Sequence, residues 1–382
     1  MSAMISARED LPSARRWVVK IGSALLTADG RGLDRARLAD WAAQIAALRA
    51  AGRQVVLVSS GAVAEGLVRL GWRERPASLS AVQAAASVGQ AGLVEAYSRC
   101  FEAHGLRTAQ VLLTHDDVTD RRRYLNARST LMTLLGLDVV PIVNENDAIA
   151  TDEIRVGDND TMAALAVNLL DADGLIILTD QSGVYDADPR QDSGARLIEQ
   201  CDAHEATLLA AAAGTGGILG RGGMRTKVLA ARQAADSGAA TVIADGLAPD
   251  VLARITRGEP IGTLLTPGSN MRRAARKNWI AGQRQARGAV RIDAGAVRVL
   301  RSAGRSLLPI GITAVEGDFR RGDLVACVNA QGEEIAQGLA NYDAREIRRL
   351  AGQSSEQIEA LLGYGGEPEF IHRNNLVVSR RG

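Results

Sequence analysis

From Trp17 to about residue 265, short apolar runs alternate with longer stretches in which apolar residues recur every three or four positions. Trp17-Val18-Val19-Lys20 reads as a strand running into Gly22-Ser23, and Leu38, Trp41, Ile45 and Leu48 then line one helical face that Gly52 closes. Val55 to Val58 is a buried strand that turns at Ser59-Ser60-Gly61-Ala62 into another helix, and residues 81 to 104 form a longer one. Val111 to Leu113 and Val139 to Val143 are strands separated by a helical stretch around 122 to 136. A helix from Asn159 to Leu170 follows, with strands at Leu175 to Leu178 and Thr241 to Ala244. Repeated strand–helix units imply an α/β fold, a mainly parallel sheet with helices on both faces, which is a three-layer αβα sandwich.

Such a sheet carries its ligands beyond the carboxyl ends of its strands. Four polar clusters fall there: Lys20 with Gly22, Ser59-Ser60-Gly61, Asn144-Glu145-Asn146-Asp147, and Thr179-Asp180. Taken singly, each is explained by helix caps and turns. Their shared topological position points to one crevice with polar walls. A fifth stretch, Gly214 to Lys227, is glycine-rich and opens the helical pattern from Val228 to Ala234. Glycine lets backbone N–H groups converge on a ligand, and the positive end of a helix dipole suits a phosphate.

Lysine usage adds weight to two of these positions. Of 45 basic residues only Lys20, Lys227 and Lys277 are lysine. A chain that uses arginine wherever a generic positive charge serves keeps lysine where a compact ammonium is needed. Lys20 and Lys227 both lie at the edges of glycine turns.

Established phosphate motifs do not fit. Nothing matches the P-loop pattern, the glycine stretch is not G-x-G-x-x-G, and Ser60 does not sit in a nucleophile elbow. What remains is two lysines, glycine turns, and the acidic stretch Asp158-Asn159-Asp160 at a helix start, more than capping needs. Phosphoryl transfer requires in-line positioning and positive charge spread over the moving group, with little covalent help from the protein. Two lysines from the walls of a crevice, an Asp holding them, and a nucleotide-borne Mg²⁺ suffice. No protein cage for the metal is expected, because Mg²⁺ keeps waters and bridges phosphates.

These pieces in this order, Lys20-Ile-Gly-Ser, Val58-Ser-Ser-Gly-Ala, Val143-Asn-Glu-Asn-Asp, Val156-Gly-Asp-Asn-Asp, Leu178-Thr-Asp, Gly183-Val-Tyr-Asp-Ala-Asp-Pro189 and Gly222-Gly-Met-Arg-Thr-Lys227, resemble the amino acid kinase family. The Asn-Glu-Asn-Asp and Gly-Asp-Asn-Asp pair is similar to the members that phosphorylate the γ-carboxylate of L-glutamate. The resemblance implies that Lys20 and Lys227 stabilise the transferring phosphoryl group while Asp160 orients both. It implies that Ser60, Asn144, Asp147, Asp158 and Asn159 hold glutamate. Lys20, Thr179, Asp180, Arg221, Gly222, Gly223, Met224, Arg225, Thr226 and Lys227 would bind ATP. The chemistry agrees, since an α-ammonium wants a carboxylate such as Asp147 or Asp158, and an α-carboxylate wants donors such as Ser60, Asn144 and Asn159. Arg221 and Arg225 depart from the family's usual nucleotide loop, and Arg221 either contacts phosphate or faces solvent. Feedback inhibition by proline and a homo-oligomeric assembly are further implications of the resemblance.

Residues 1–270 are expected to form the kinase domain, 271–287 a basic linker of charge +6, and 288–382 a small mostly-β domain resembling the PUA domain. That last segment holds 12 arginines and 12 acids, which predicts a weak electrostatic footprint for nucleic acid. RNA binding therefore stands behind catalysis as the second class of function, and a kinase for another acidic acceptor is the alternative within the fold. The three cysteines are isolated, no apolar run approaches the roughly 18 residues of a membrane span, and the first residues do not read as a signal peptide. A cytoplasmic enzyme without a structural metal or membrane partner is the expectation.

Overall fold

The computed structural model describes residues 4–27, 32–150, 159–212, 223–268, 286–303 and 305–379. The chain divides into two compact units, Met1–Val118 with Ala127–Arg272, and Thr119–Asn126 with Arg273–Gly382.

In the first unit the strands are β1 (Arg16–Ile21), β2 (Gln54–Ser59), β3 (Arg107–Leu113), β4 (Val139–Glu145), β5 (Gly174–Thr179), β6 (Gln200–Asp202), β7 (Ala240–Asp245) and β8 (Thr263–Thr266). They form one sheet in the order β3-β4-β2-β1-β5-β7-β8-β6. Every pairing in it is parallel except β7 with β8. The helices that lie wholly or mostly in this unit are α1 (Ser23–Leu26), α2 (Arg35–Ala50), α3 (Ala62–Arg69), α4 (Leu79–Glu102), α5 (His115–Thr119), α6 (Arg121–Gly136), α7 (Asn159–Leu170), α8 (Ala206–Ala212), α9 (Met224–Asp236) and α10 (Val251–Thr256). The fold is the α/β architecture expected from the alternation. β8 and β6, strands of four and three residues, are too short to carry a periodic sequence pattern.

The pleat of β1 decides which side chains meet which helices. Trp17, Val19 and Ile21 face a core that includes Leu38, Trp41 and Ile45 of α2 and Leu93, Tyr97 and Phe101 of α4. Full burial of each such side chain contributes roughly 1.5–3 kcal/mol. Trp41 meets its polar need by donating Nε1–H to the Gly246 carbonyl at 3.0 Å. Val18 and Lys20 point to the opposite face, where α7 packs against β1 and α9. An alternation legible in four residues thus delivers Lys20 to the α7 side of the sheet.

Two sets of contacts hold the helices against the sheet. α3 and α4 touch backbone to backbone, since a Cβ at Gly66 would lie 1.7 Å from the Ala85 carbonyl oxygen and one at Gly89 1.9 Å from that of Ala62. The turn into α3 needs Gly61, whose φ is +104°. At the far end of α7, the buried Arg128 of α6 donates to the Leu169 carbonyl and pairs with Asp171 at 2.8 Å, while Arg16 donates to the Leu170 carbonyl. Two guanidinium groups thus serve carbonyls that helix geometry leaves open. Arg128→Met is expected to cost about 2 kcal/mol by removing the donor to the Leu169 carbonyl and one ionic partner of Asp171. Chemical denaturation checks this, and an unchanged midpoint would show that the clamp contributes nothing.

The second unit has a sheet of β9 (Gly288–Ile292), β10 (Ile312–Gly317), β11 (Leu324–Val328), β12 (Glu334–Leu339) and β13 (Leu376–Val378). Their order is β10-β9-β11-β12-β13, with only β9 and β11 parallel. Val290, Phe319, Ile335, Ile347 and Phe370 are among its core residues. It is a separate mostly-β body, as its turn-rich pattern predicts.

Candidate active site

Parallel register brings the polar strand ends to one edge. Lys20 is paired with Val58 of β2 and Ile177 of β5, and Val58 with Val143 of β4. The residues that follow are therefore Asn144 and Glu145 on β4, Ser59 at the end of β2 with Ser60 after it, Gly22 after β1, and Thr179 at the end of β5 with Asp180 after it. Lys20 stands in the middle. Ser60, Asn144 and Asp147 lie to one side of it, Thr179 and Asp180 to the other.

α7 returns from this edge toward the start of β5, so its amino end, with Asn159 and Asp160, lies at the carboxyl ends of the strands. α9 places its own first turn there too, with Met224, Lys227, Val228 and Ala231 on its buried face. Lys20 Nζ meets Asp160 Oδ1 in an ion pair, and Lys227 Nζ lies 3.2 Å from Oδ2 of the same carboxylate. Thr226 donates its hydroxyl to that Oδ2 at 2.8 Å. Lys20, Lys227 and Asp160 are only 5%, 6% and 1% exposed. Burial pushes the Asp160 carboxyl up, but Lys20 and Lys227 outweigh it and hold the pKa down at about 2. Two ammonium ions share one carboxylate in a place almost shut off from water. Buried charges of this kind are poor stabilisers, because their desolvation offsets their attraction. Such a group can meet an anion with little reorganisation.

On the β2–β4 side, Asn159 Nδ2 donates to Ser60 Oγ at 3.1 Å. Asn144 accepts from the Glu145 N–H at 2.9 Å and donates Nδ2–H to Gln90 Oε1 at 2.7 Å. Asp147 is half-buried, and its carboxyl is pushed up to about 6 by burial and by Glu145, against a lowering from Arg75. Gln83 ties the following loop by donating to the Ala150 carbonyl at 2.9 Å. The structure thus joins Asn159 to Ser60, and Asn144 to a residue the sequence reading did not select. Gln90 carried one signal, as a carboxamide seven positions after Gln83 in a helix otherwise rich in small and apolar residues.

On the β5–β7 side, Thr179 is buried and donates to the exposed Asp180 at 3.0 Å. Gly223 precedes α9, Met224 is buried, Arg225 is exposed, and Thr226 is half-buried. Asp158, Arg221 and Gly222 lie outside the described residues, as do the upstream glycines 214–220 and most of the expected linker. Thr226 holds Asp160 in addition to opening the helix, a link between two segments 66 residues apart that no local pattern reveals.

The mainly parallel αβα sheet with this lysine–carboxylate–lysine group at its carboxyl edge lies within residues 15–245, which match the amino acid kinase family. The chain belongs to that family, and residues 288–362 match the PUA domain. It is similar to the glutamate 5-kinase of Thioalkalivibrio sulfidiphilus, 60% identical over 375 residues that span 98% of this chain and 100% of that one. The glutamate 5-kinase of Chromohalobacter salexigens is 60% identical over 98% of each chain. That of Pseudomonas putida is 58% identical over 97% of this chain and 100% of its own.

Proposed function

We propose that the protein transfers the γ-phosphoryl group of ATP to the γ-carboxylate of L-glutamate, giving L-glutamyl 5-phosphate, the first step of proline biosynthesis. The observation that carries this is Asp160 holding Lys20 and Lys227 between a donor-rich side and the Thr179–Asp180 side, in a chain so similar to glutamate 5-kinases. A γ-carboxylate oxygen attacks the γ-phosphorus in line, the bond to the β,γ-bridging oxygen breaks, and ADP leaves with that electron pair. No protein base is needed, because a carboxylate is already ionised at pH 7. Lys20 and Lys227 meet the charge on the moving phosphoryl oxygens, and Asp160 sets their spacing. Ser60, Asn144, Asp147, Asp158 and Asn159 hold glutamate, and Thr179, Asp180 and residues 221–227 hold the nucleotide. The hydroxyl and carboxylate oxygens of Thr179 and Asp180 fit Mg²⁺ carried mainly by the phosphates. When bound, that ion neutralises phosphate charge. Proline shares the α-ammonium and α-carboxylate of glutamate and would compete for the same groups.

Incubation with ATP, Mg²⁺, L-glutamate and hydroxylamine is expected to yield γ-glutamyl hydroxamate. Product with aspartate or N-acetylglutamate, and none with glutamate, would sink the assignment. Asp147 adds a pH signature. Its raised pKa means that it loses its charge as pH falls through about 6, so a carboxylate that pairs with the α-ammonium is present above that pH and absent below it. The KM for glutamate is expected to rise about tenfold per pH unit below 6, as for a single essential ionisation. Asp147→Asn should flatten that limb of the profile, and a variant profile identical to the parent would remove Asp147 from glutamate binding.

A further inference from the structure

We propose that Gln90 is a positioning residue of the acceptor site, setting the direction of the Asn144 carboxamide so that its remaining N–H meets the α-carboxylate of the acceptor. This rests on the reading that the acceptor is glutamate. Asn144 is 1% exposed and its Oδ1 is engaged by the Glu145 N–H. One Nδ2 hydrogen goes to Gln90 Oε1 at 2.7 Å. The two hydrogens of a carboxamide nitrogen lie in one plane about 120° apart, so fixing one fixes the other. Rotation of the amide would exchange donor for acceptor and break both bonds.

Gln90 can set this direction because its own backbone is held. Gly89 beside it packs against Ala62, the first residue after the Ser60-Gly61 turn. Gln83 and Gln90 share one face of α4 and reach Ala150, beyond β4, and Asn144, near its carboxyl end. The polarity of the chain is also one-way. From the Glu145 N–H through Asn144 to Gln90, each amide accepts from the one before, and the last nitrogen, Gln90 Nε2, is buried with no acceptor among the described residues. Gln90 itself is 8% exposed. A buried network that ends in unspent donors is matched to an anion and mismatched to a cation or a neutral acceptor group. Ser60, held by Asn159 Nδ2, stands at the neighbouring strand end.

The test compares glutamate with isoglutamine, its α-amide, which keeps the γ-carboxylate and replaces the α-carboxylate with a neutral group. Gln90→Met is expected to raise the KM for glutamate about tenfold, with kcat and the KM for ATP within about twofold, the scale of one misdirected hydrogen bond to a charged group. The preference for glutamate over isoglutamine in kcat/KM should shrink by a similar factor. A purely structural role would lower both substrates alike and leave the preference unchanged, which would overturn the proposal, as would a parental KM. Gln90→Asn, one methylene too short to reach Asn144, carries the same expectations if the methionine variant does not fold. A parent protein inactive on glutamate would instead refute the proposed function itself. An active parent whose preference survives both substitutions refutes only the role of Gln90.

Discussion

Lys227→Arg is expected to lower kcat by about 10²–10³-fold although the charge is kept, the scale of removing one preorganised donor from a developing anion. Lys227 Nζ lies 3.2 Å from Asp160 Oδ2, an oxygen that also accepts from Thr226 at 2.8 Å, while Oδ1 belongs to Lys20. An ammonium can share one oxygen and still turn its other hydrogens toward substrate. A guanidinium seeks both oxygens of a carboxylate with a planar fork. In a site where both lysines are nearly buried, it would displace Lys20 from Oδ1 or lose its own pairing. The binding constants for glutamate and ATP should move far less than kcat. Steady-state kinetics decide the matter, and near-normal turnover would refute a specific need for lysine.

Asp160→Asn is expected to damage both stability and activity. Removing the charge takes from two buried ammonium groups the carboxylate they share, and breaking a buried ionic pairing on one side costs about 3–5 kcal/mol. The kcat should fall at least ~10²-fold, because the spacing of Lys20 and Lys227 depends on that carboxylate. The pH dependence of the parent follows from the depressed pKa. Asp160 titrates near 2 rather than at an ordinary carboxylate value. Its stabilisation is therefore complete above about pH 4 and is lost as pH falls toward 2. The variant should lack this part of the acid limb. Equal acid sensitivity in parent and variant, measured by unfolding between pH 5 and 2, would show that the lysines do not depend on Asp160.

Much of this site was legible because βα repetition obeys a rule about where ligands go. Once Trp17 to Lys20, Val55 to Val58 and Val139 to Val143 were read as parallel strands, the polar residues after each had to share an edge. The scarcity of lysine then separated Lys20 and Lys227 from a background of arginine. The hydrogen bonds from Asn144 to Gln90 and from Thr226 to Asp160 were not legible, since each joins segments more than 50 residues apart through one side-chain angle. Nor was the service of Arg128 to the end of α7, because a buried arginine in an arginine-rich chain looks like a solvated one.

Local periodicity and residue type by themselves determined the layered α/β frame, the mostly-β C-terminal unit and the chemistry on offer: ammonium groups, carboxylates and glycine turns. Those properties are carried by neighbours in the chain and repeat often enough to be read. Tertiary structure alone decided the geometry by which the Asp160 carboxylate, on the first turn of α7, meets both lysines, and that Thr226 joins them. That outcome depends on the pleat of β1 and on how α7 and α9 pack. A shift of one residue in the strand would turn Lys20 into the opposite core.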